Sequence, residues 1–377
     1  MVLRNAFDSW RRTPWFIHAL VVGGLLIVLV ARFHASVLSS VPVEDEVVYI
    51  EAFERAGDGV SPFTGLYYYT TTFALVGGVA LDSLGTVPVL AILRGTNLVG
   101  MAVLAWISAA WLPWRISRRF WGAAVYVAIA PAVRLGAQWG NLSLVVLGLL
   151  VVGLLAWRRR PVLSGLLLGL SLVIKPLGPV AVGALLVHRP VPHGWRQVIA
   201  ASIALAGAML LILPMPWLGE WLSFGGRPAN GRNMSMHHLL WCFGVHVGTL
   251  PIAIGVAMAT TLAARLRAWD RETFLGFAGV VGVMALPLVW SHTLLFVLPL
   301  QVMALTLAFT PRARSELARR YEAPLVVVGC LAIQLCEGLG GIETWPPSIQ
   351  GIIALPVILA PLALLIYVVR CRESASP

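Results

Sequence analysis

The feature that most limits what this chain can fold into is a succession of apolar runs divided by short arginine clusters. The runs lie at 15–38, 86–112, 120–135, 141–157, 161–174, 177–188, 197–214, 238–264, 273–290, 293–310, 323–340 and 350–369. A bilayer's hydrocarbon core is about 30 Å thick, which about 20 apolar residues cross as a helix. Lipid cannot satisfy an open backbone, so helices are the expected form. A soluble domain of 377 residues would also need a polar surface, and this chain is 59% hydrophobic and only 11% charged where ordinary domains are about a quarter charged. The expectation is an all-α polytopic membrane protein, one integral domain over 1–377, with about 12 transmembrane helices (11–13).

Charge then orients the chain. The net charge of +11 does not read as a nucleic-acid surface, because the arginines sit between apolar runs without interleaved stacking aromatics. With the N-terminus in the cytoplasm and the first run retained as a span, 20 of the 27 basic residues fall on the inner side, as cytoplasmic loops favour. That alternation requires 66–82 to be an amphipathic helix at the outer interface, and so predicts a first outer loop over 39–85 with two interfacial helices, 46–56 and 66–82. The stretch 161–188 is interrupted by Lys175-Pro176. It reads either as a broken hairpin carrying Lys175 toward the outer face or as one kinked span that reverses the sidedness downstream. The four cysteines, Cys242, Cys330, Cys336 and Cys371, lack metal-ligand spacing and read as buried thiols.

Six carboxylates occupy positions 44–58 of this oily chain. Glu44, Asp45 and Glu46 follow the first span directly, and three adjacent acids cannot share one helical face. Two readings stand side by side: a cap on the following helix, or a partly desolvated carboxylate that takes a proton from a hydroxyl. Lys175 is the chain's one lysine, and in an apolar hairpin it needs an anionic partner, carboxylate or phosphate. Arg94, inside a predicted span, poses the same question. His292, in a short outer turn beside Trp290, can donate to a phosphate or sugar hydroxyl or serve as an interfacial residue. The adjacent His237 and His238 point apart on a helix and have no further ligand at useful spacing, so no metal is expected. No nucleotide-binding pattern occurs in a credible context, and no cofactor is expected.

In this order the features resemble the glycosyltransferases of the C superfamily, and more closely glycosyltransferase family 87, the bacterial mannosyl- and arabinosyltransferase-like group. The resemblance rests on Asp45 and Tyr49, "AFERAGDG", "SPFTGLYYY", "GNLSLVVLGLLVVGLL" at 140–155, "SGLLLGLSLVIKP" at 164–176, "RNMSMHHLL" at 232–240 and "VWSHTLLFVLP" at 289–299. It runs from about 15 to 300. The chain has Thr70-Thr71-Thr72 where the family often has prolines, and His292-Thr293 where it often has two histidines.

The resemblance implies a GT-C-like bundle and an inverting transfer of a sugar, most simply mannose-like, from a polyprenyl-phosphate donor to a lipid or glycan hydroxyl. Asp45 would be the base, with Glu46 or Glu44 as its substitute. Lys175, Arg94 and His292 would hold the donor phosphate, and Tyr49, Tyr68, Asn141, Asn233 and Ser235 would contact sugar or acceptor. The site would face outward from a bacterial cytoplasmic membrane, with membrane lipids as its surroundings. The competing classes are a transporter or flippase for a lipid-linked or anionic substrate, and a noncatalytic subunit of an envelope-assembly complex.

Overall fold

The computed structural model describes residues 41–63, 67, 69–111, 140–156, 160–175, 217, 219–220, 236–245, 276, 279–280, 283–284, 296–309, 316–335 and 346–373. Among these residues all regular structure is helical. In chain order the helices are α1 (Glu44–Gly57), α2 (Thr71–Leu84), α3 (Thr86–Trp111), α4 (Ser143–Ala156), α5 (Pro161–Ile174), α6 (Met236–Cys242), α7 (Leu298–Phe309), α8 (Glu316–Leu335) and α9 (Pro347–Glu373).

Two described helices are long and apolar enough to cross a bilayer, over Thr86–Leu104 and Pro347–Cys371. The expected total of about 12 depends on segments outside the described residues. Where these two helices leave the protein their surface is oily: Val87, Ile92 and Val99 on α3, and Ile352, Leu359 and Ile366 on α9, are all exposed. Apolar residues can face outward in this way where the solvent is lipid.

Helices run over Glu44–Gly57 and Thr71–Leu84, near the expected 46–56 and 66–82. α1 is amphipathic as its spacing predicts: Tyr49, Ala52, Phe53 and Ala56 are buried, while Glu51, Glu54 and Asp58 face out. α2 starts at Thr71 rather than 66, because the Thr70 side chain accepts the Phe73 N–H and sets the boundary, as an N-cap threonine does. Tyr67 and Tyr69 therefore precede the helix instead of forming its first turn. At 14 residues and about 1.5 Å of rise per residue, α2 is too short to cross a bilayer.

α1 and α2 pack nearly backbone to backbone. A Cβ on Gly77 would stand 2.3 Å from the Phe53 ring, and one on Gly78 would stand 2.8 Å from the Phe53 carbonyl oxygen. Main chain cannot swing aside as a side-chain tip can, so Gly78→Ala is expected to destabilise the protein by about 1–3 kcal/mol. Gly95 on α3 has open space around its Cβ position, and Gly95→Ala should instead be neutral or gain up to about 1 kcal/mol from helix propensity. Thermal unfolding of the two variants in one detergent compares them directly.

α3 continues the chain from Gly85, which closes α2 with φ +81. It meets α4 closely at Gly100, where a Cβ would lie 2.9 Å from the Leu144 carbonyl. α4 and α5 pair as a hairpin, pinned where Ser164 Oγ donates to the Gly153 carbonyl at 2.6 Å. α5 stops at Ile174, and Lys175 is extended (φ −140, ψ 127), as the residue before a proline prefers. The interruption read at Lys175-Pro176 is thus a real helix end; 177–188 lies outside the described residues.

α9 packs against α6, α7 and α8, and α7 also touches α3. The run expected as a span from 238 is corrected at its start: α6 ends at Cys242, and Gly244, with φ +78, turns the chain. A shallow pocket between α6 and α9 is lined, among the described residues, by apolar side chains such as Met236, Met284, Val297 and Ile358. Cys242, Cys330 and Cys371 are buried, and Cys336 lies outside the described residues.

Candidate active site

The three consecutive acids at the start of α1 have diverged in role. Glu46 turns inward and is 1% exposed. Its Oε2 accepts the Val43 N–H at 3.0 Å, so the carboxylate that caps α1 is Glu46, reaching back one turn. The same carboxylate receives Arg94 from α3 in a two-pronged pair, Nε to Oε1 at 2.9 Å and a terminal nitrogen to Oε2 at 2.7 Å. Arg94 also donates to the Val41 carbonyl at 2.9 Å. A planar guanidinium suits this fork-to-fork geometry, and the pair fastens the start of α1 to the middle of α3.

Asp45, one residue earlier, points to a different neighbour. Its Oδ2 accepts from Asn141 Nδ2 at 2.7 Å. Asn141 precedes α4, and its Oδ1 receives the Ser143 backbone N–H at 2.9 Å and the Ser143 hydroxyl at 2.6 Å. Lys175, just past the end of α5, donates to Ser143 Oγ at 2.9 Å. Its ammonium also lies 5.3 Å from the centre of the Tyr69 ring, within cation–π range.

Gly140 makes this convergence possible. It has φ +72, and a Cβ there would sit 2.4 Å from Glu46 Cγ. Left-handed backbone and the close carboxylate both demand glycine at this point.

A tyrosine cage completes the cluster. Tyr49 donates to the Tyr69 hydroxyl at 2.6 Å with the rings edge to face, and the Tyr67 hydroxyl donates to the Thr70 carbonyl at 2.8 Å. Thr70 Oγ1 in turn donates to the Val173 carbonyl, tying the loop to the end of α5 that carries Lys175. Burial, above all, raises the hydroxyls of Tyr49, Tyr67 and Tyr69 well above the ordinary phenol range. These phenols are therefore protonated near neutral pH.

The structure thus brings Asp45, Tyr49, Asn141 and Lys175 together, and places Arg94 with Glu46 in a pair beside them. The side chain of Glu44 lies outside what is described, as do Tyr68, Asn233, Ser235 and His292. His238, buried on α6, contacts Cys242 Sγ at 3.4 Å and stacks on Trp241. Two members of the cluster escaped the sequence reading. Tyr69 stood in the quoted "LYYY" stretch, with nothing in the sequence to rank it above its neighbours. Ser143 carried no signal beyond its place two residues after an asparagine.

Residues 67–296 match the family model described as Glycosyltransferase family 87, well over half of the chain. The chain belongs to glycosyltransferase family 87. The matched region holds Tyr69, Arg94, Asn141, Ser143 and Lys175, and Asp45 joins the family segment through its hydrogen bond to Asn141. With its apolar helices, this family member is a membrane glycosyltransferase. Among solved structures the chain is similar to a crystal structure of ArnT from Cupriavidus metallidurans bound to undecaprenyl phosphate. The TM-score is 0.43 and the identity 14%, covering 95% of this chain and 79% of that one. A likeness so low decides neither fold nor ligand. No curated protein matches the chain.

Proposed function

We propose that the protein transfers a sugar, mannose-like in the simplest case, from a polyprenyl-phosphate donor to a hydroxyl of a lipid or glycan acceptor, with inversion. The observation that carries this reading is a single carboxylate, Asp45, joined through neutral hydrogen-bonding groups to the chain's one lysine in a member of a glycosyltransferase family. In the step itself Asp45 takes the acceptor's hydroxyl proton while that oxygen bonds to the anomeric carbon. The bond from that carbon to the phosphate oxygen breaks, and polyprenyl phosphate leaves with the electron pair. Lys175 stabilises the charge that develops on the phosphate, as a preorganised cation does. Glu46 and Arg94 hold the site's shape in this scheme, leaving the proton to Asp45 and the phosphate to Lys175. Tyr49 and Tyr69 pack beside these groups, and His292, Asn233, Ser235 and Tyr68 remain proposed contacts to donor or acceptor. α1 and α2 lie at the outer interface of a bacterial cytoplasmic membrane, so both substrates enter from that side.

The test is transfer by the purified protein in lipid vesicles, with decaprenyl-phosphate-linked radiolabelled mannose in parallel with the matching nucleotide-linked sugar. Label moving to an acceptor from the lipid-linked donor alone is the expected result. Labelled donor that crosses the vesicle without being cleaved would instead establish a flippase, and transfer from the nucleotide donor would overturn the donor class.

A further inference from the structure

We infer that Ser143 is a positioning residue for the transfer reaction. With Asn141 it forms an ordered hydrogen-bond bridge that fixes how far the base Asp45 stands from the phosphate-stabilising Lys175. The inference rests on the proposed roles of Asp45 and Lys175, and assigns to Asn141 an orienting task in place of sugar contact.

Donor and acceptor chemistry sets every proton in the bridge. An ammonium only donates, so Lys175 Nζ gives a proton to Ser143 Oγ at 2.9 Å. With that lone pair occupied, the Ser143 hydroxyl donates onward to Asn141 Oδ1 at 2.6 Å. The same oxygen takes the Ser143 backbone N–H at 2.9 Å, so two donors hold the amide oxygen away from Asp45. A carboxylate only accepts, and it is met by the amide's nitrogen at 2.7 Å. No link can be reversed without setting two donors or two acceptors face to face.

The bridge is enclosed. Asn141 and Ser143 are buried, the Lys175 ammonium faces the Tyr69 ring, and Gly140 with φ +72 anchors the turn against Glu46. Among the described residues, the charged groups at the bridge are Asp45 at one end and Lys175 at the other, with the phenols of Tyr49 and Tyr69 alongside. In an inverting displacement the incoming oxygen, the anomeric carbon and the leaving oxygen lie roughly in line. Base and cation must therefore stand a fixed distance apart, and misplacement is costly in rate. A helix cap needs only the Ser143 backbone N–H. The hydroxyl, which links the cap to Lys175, is what spacing requires and capping does not.

The experiment uses the full chain in lipid vesicles with decaprenyl-phosphate-linked mannose. Ser143→Ala should lower kcat about tenfold, the size of one hydrogen bond lost beside charged groups, with donor KM within about twofold. Ser143→Thr, which restores a hydroxyl, should recover most of the rate. Asn141→Asp places a second carboxylate against Asp45 and should move the acid limb of the kcat–pH profile upward. A Ser143→Ala enzyme with parental kcat, or one whose rate falls only in step with its melting temperature and is not rescued by threonine, overturns the inference.

A second readout needs no donor. Isotope-labelled lysine gives a single side-chain resonance, because Lys175 is the chain's one lysine. Asp45→Asn should shift its titration midpoint in the parent, and by less than half as much in a Ser143→Ala background. Equal shifts in both backgrounds sink the bridge. Should the parent cleave no lipid-linked donor, the transferase reading fails by itself, and this titration still decides whether Ser143 couples the two ends.

Discussion

Asp45→Asn is expected to transfer sugar at about a thousandth of the parental rate, while unfolding at the parental temperature. The change keeps size and shape, and an asparagine oxygen at position 45 still accepts the hydrogen bond that Asn141 Nδ2 gives at 2.7 Å. What disappears is the capacity to receive a proton. General-base catalysis contributes about 10²–10⁴-fold, and the bulk of that loss should fall on kcat, since the donor's phosphate contacts are untouched. Initial rates with lipid-linked donor, measured beside thermal unfolding, make the comparison. An Asn variant within tenfold of the parent would remove Asp45 from the mechanism, and Glu46 would not inherit the role, because its carboxylate already holds Arg94 and the Val43 N–H.

The second large effect concerns that neighbouring pair. Arg94→Ala strands the Glu46 carboxylate at 1% exposure, and an uncompensated buried charge of this kind costs about 3–5 kcal/mol. The protein should melt much earlier or fail to accumulate. The double variant Glu46→Leu with Arg94→Leu should recover much of the loss, because an apolar pair of similar volume is often no worse than a buried ion pair. Recovery should be incomplete, since Glu46 also caps α1. Activity separates the roles of Arg94. A refolded double variant that still binds and cleaves donor leaves Arg94 a structural part, whereas one that is stable but blind to donor would return Arg94 to the phosphate.

These two results bear on how far the site could be read from the chain. The apolar spacing of 46–56 announced a helix, and the acids at its start announced chemistry. Which acid does what was not legible. Asp45 and Glu46 are set apart by their partners, which lie 96 and 48 residues away in sequence. A carboxylate's role here is a tertiary property, decided by whether an amide or a guanidinium meets it.

The tyrosine run shows a different limit. A helix read from residue 66 takes in the tyrosines, whereas Thr70 caps α2 and leaves Tyr67 and Tyr69 ahead of it. The capping threonine was in plain view. Lys175 was legible for a sturdier reason: a single ammonium in an apolar setting must be answered by something, and the proline after it fixes where the helix stops. Its answer, the Ser143 hydroxyl, could not be read because serines are common and α4 is otherwise featureless.

Gly140 carries no functional group, yet a library of variants at that position would behave like one at a catalytic residue. Any side chain there must both enter left-handed backbone and displace Glu46. Either adjustment moves Asn141 and, with it, Asp45. A screen that ranks positions by lost activity would therefore place a bare stretch of main chain among the reacting groups, and only a structure could tell the hinge pin from the blade.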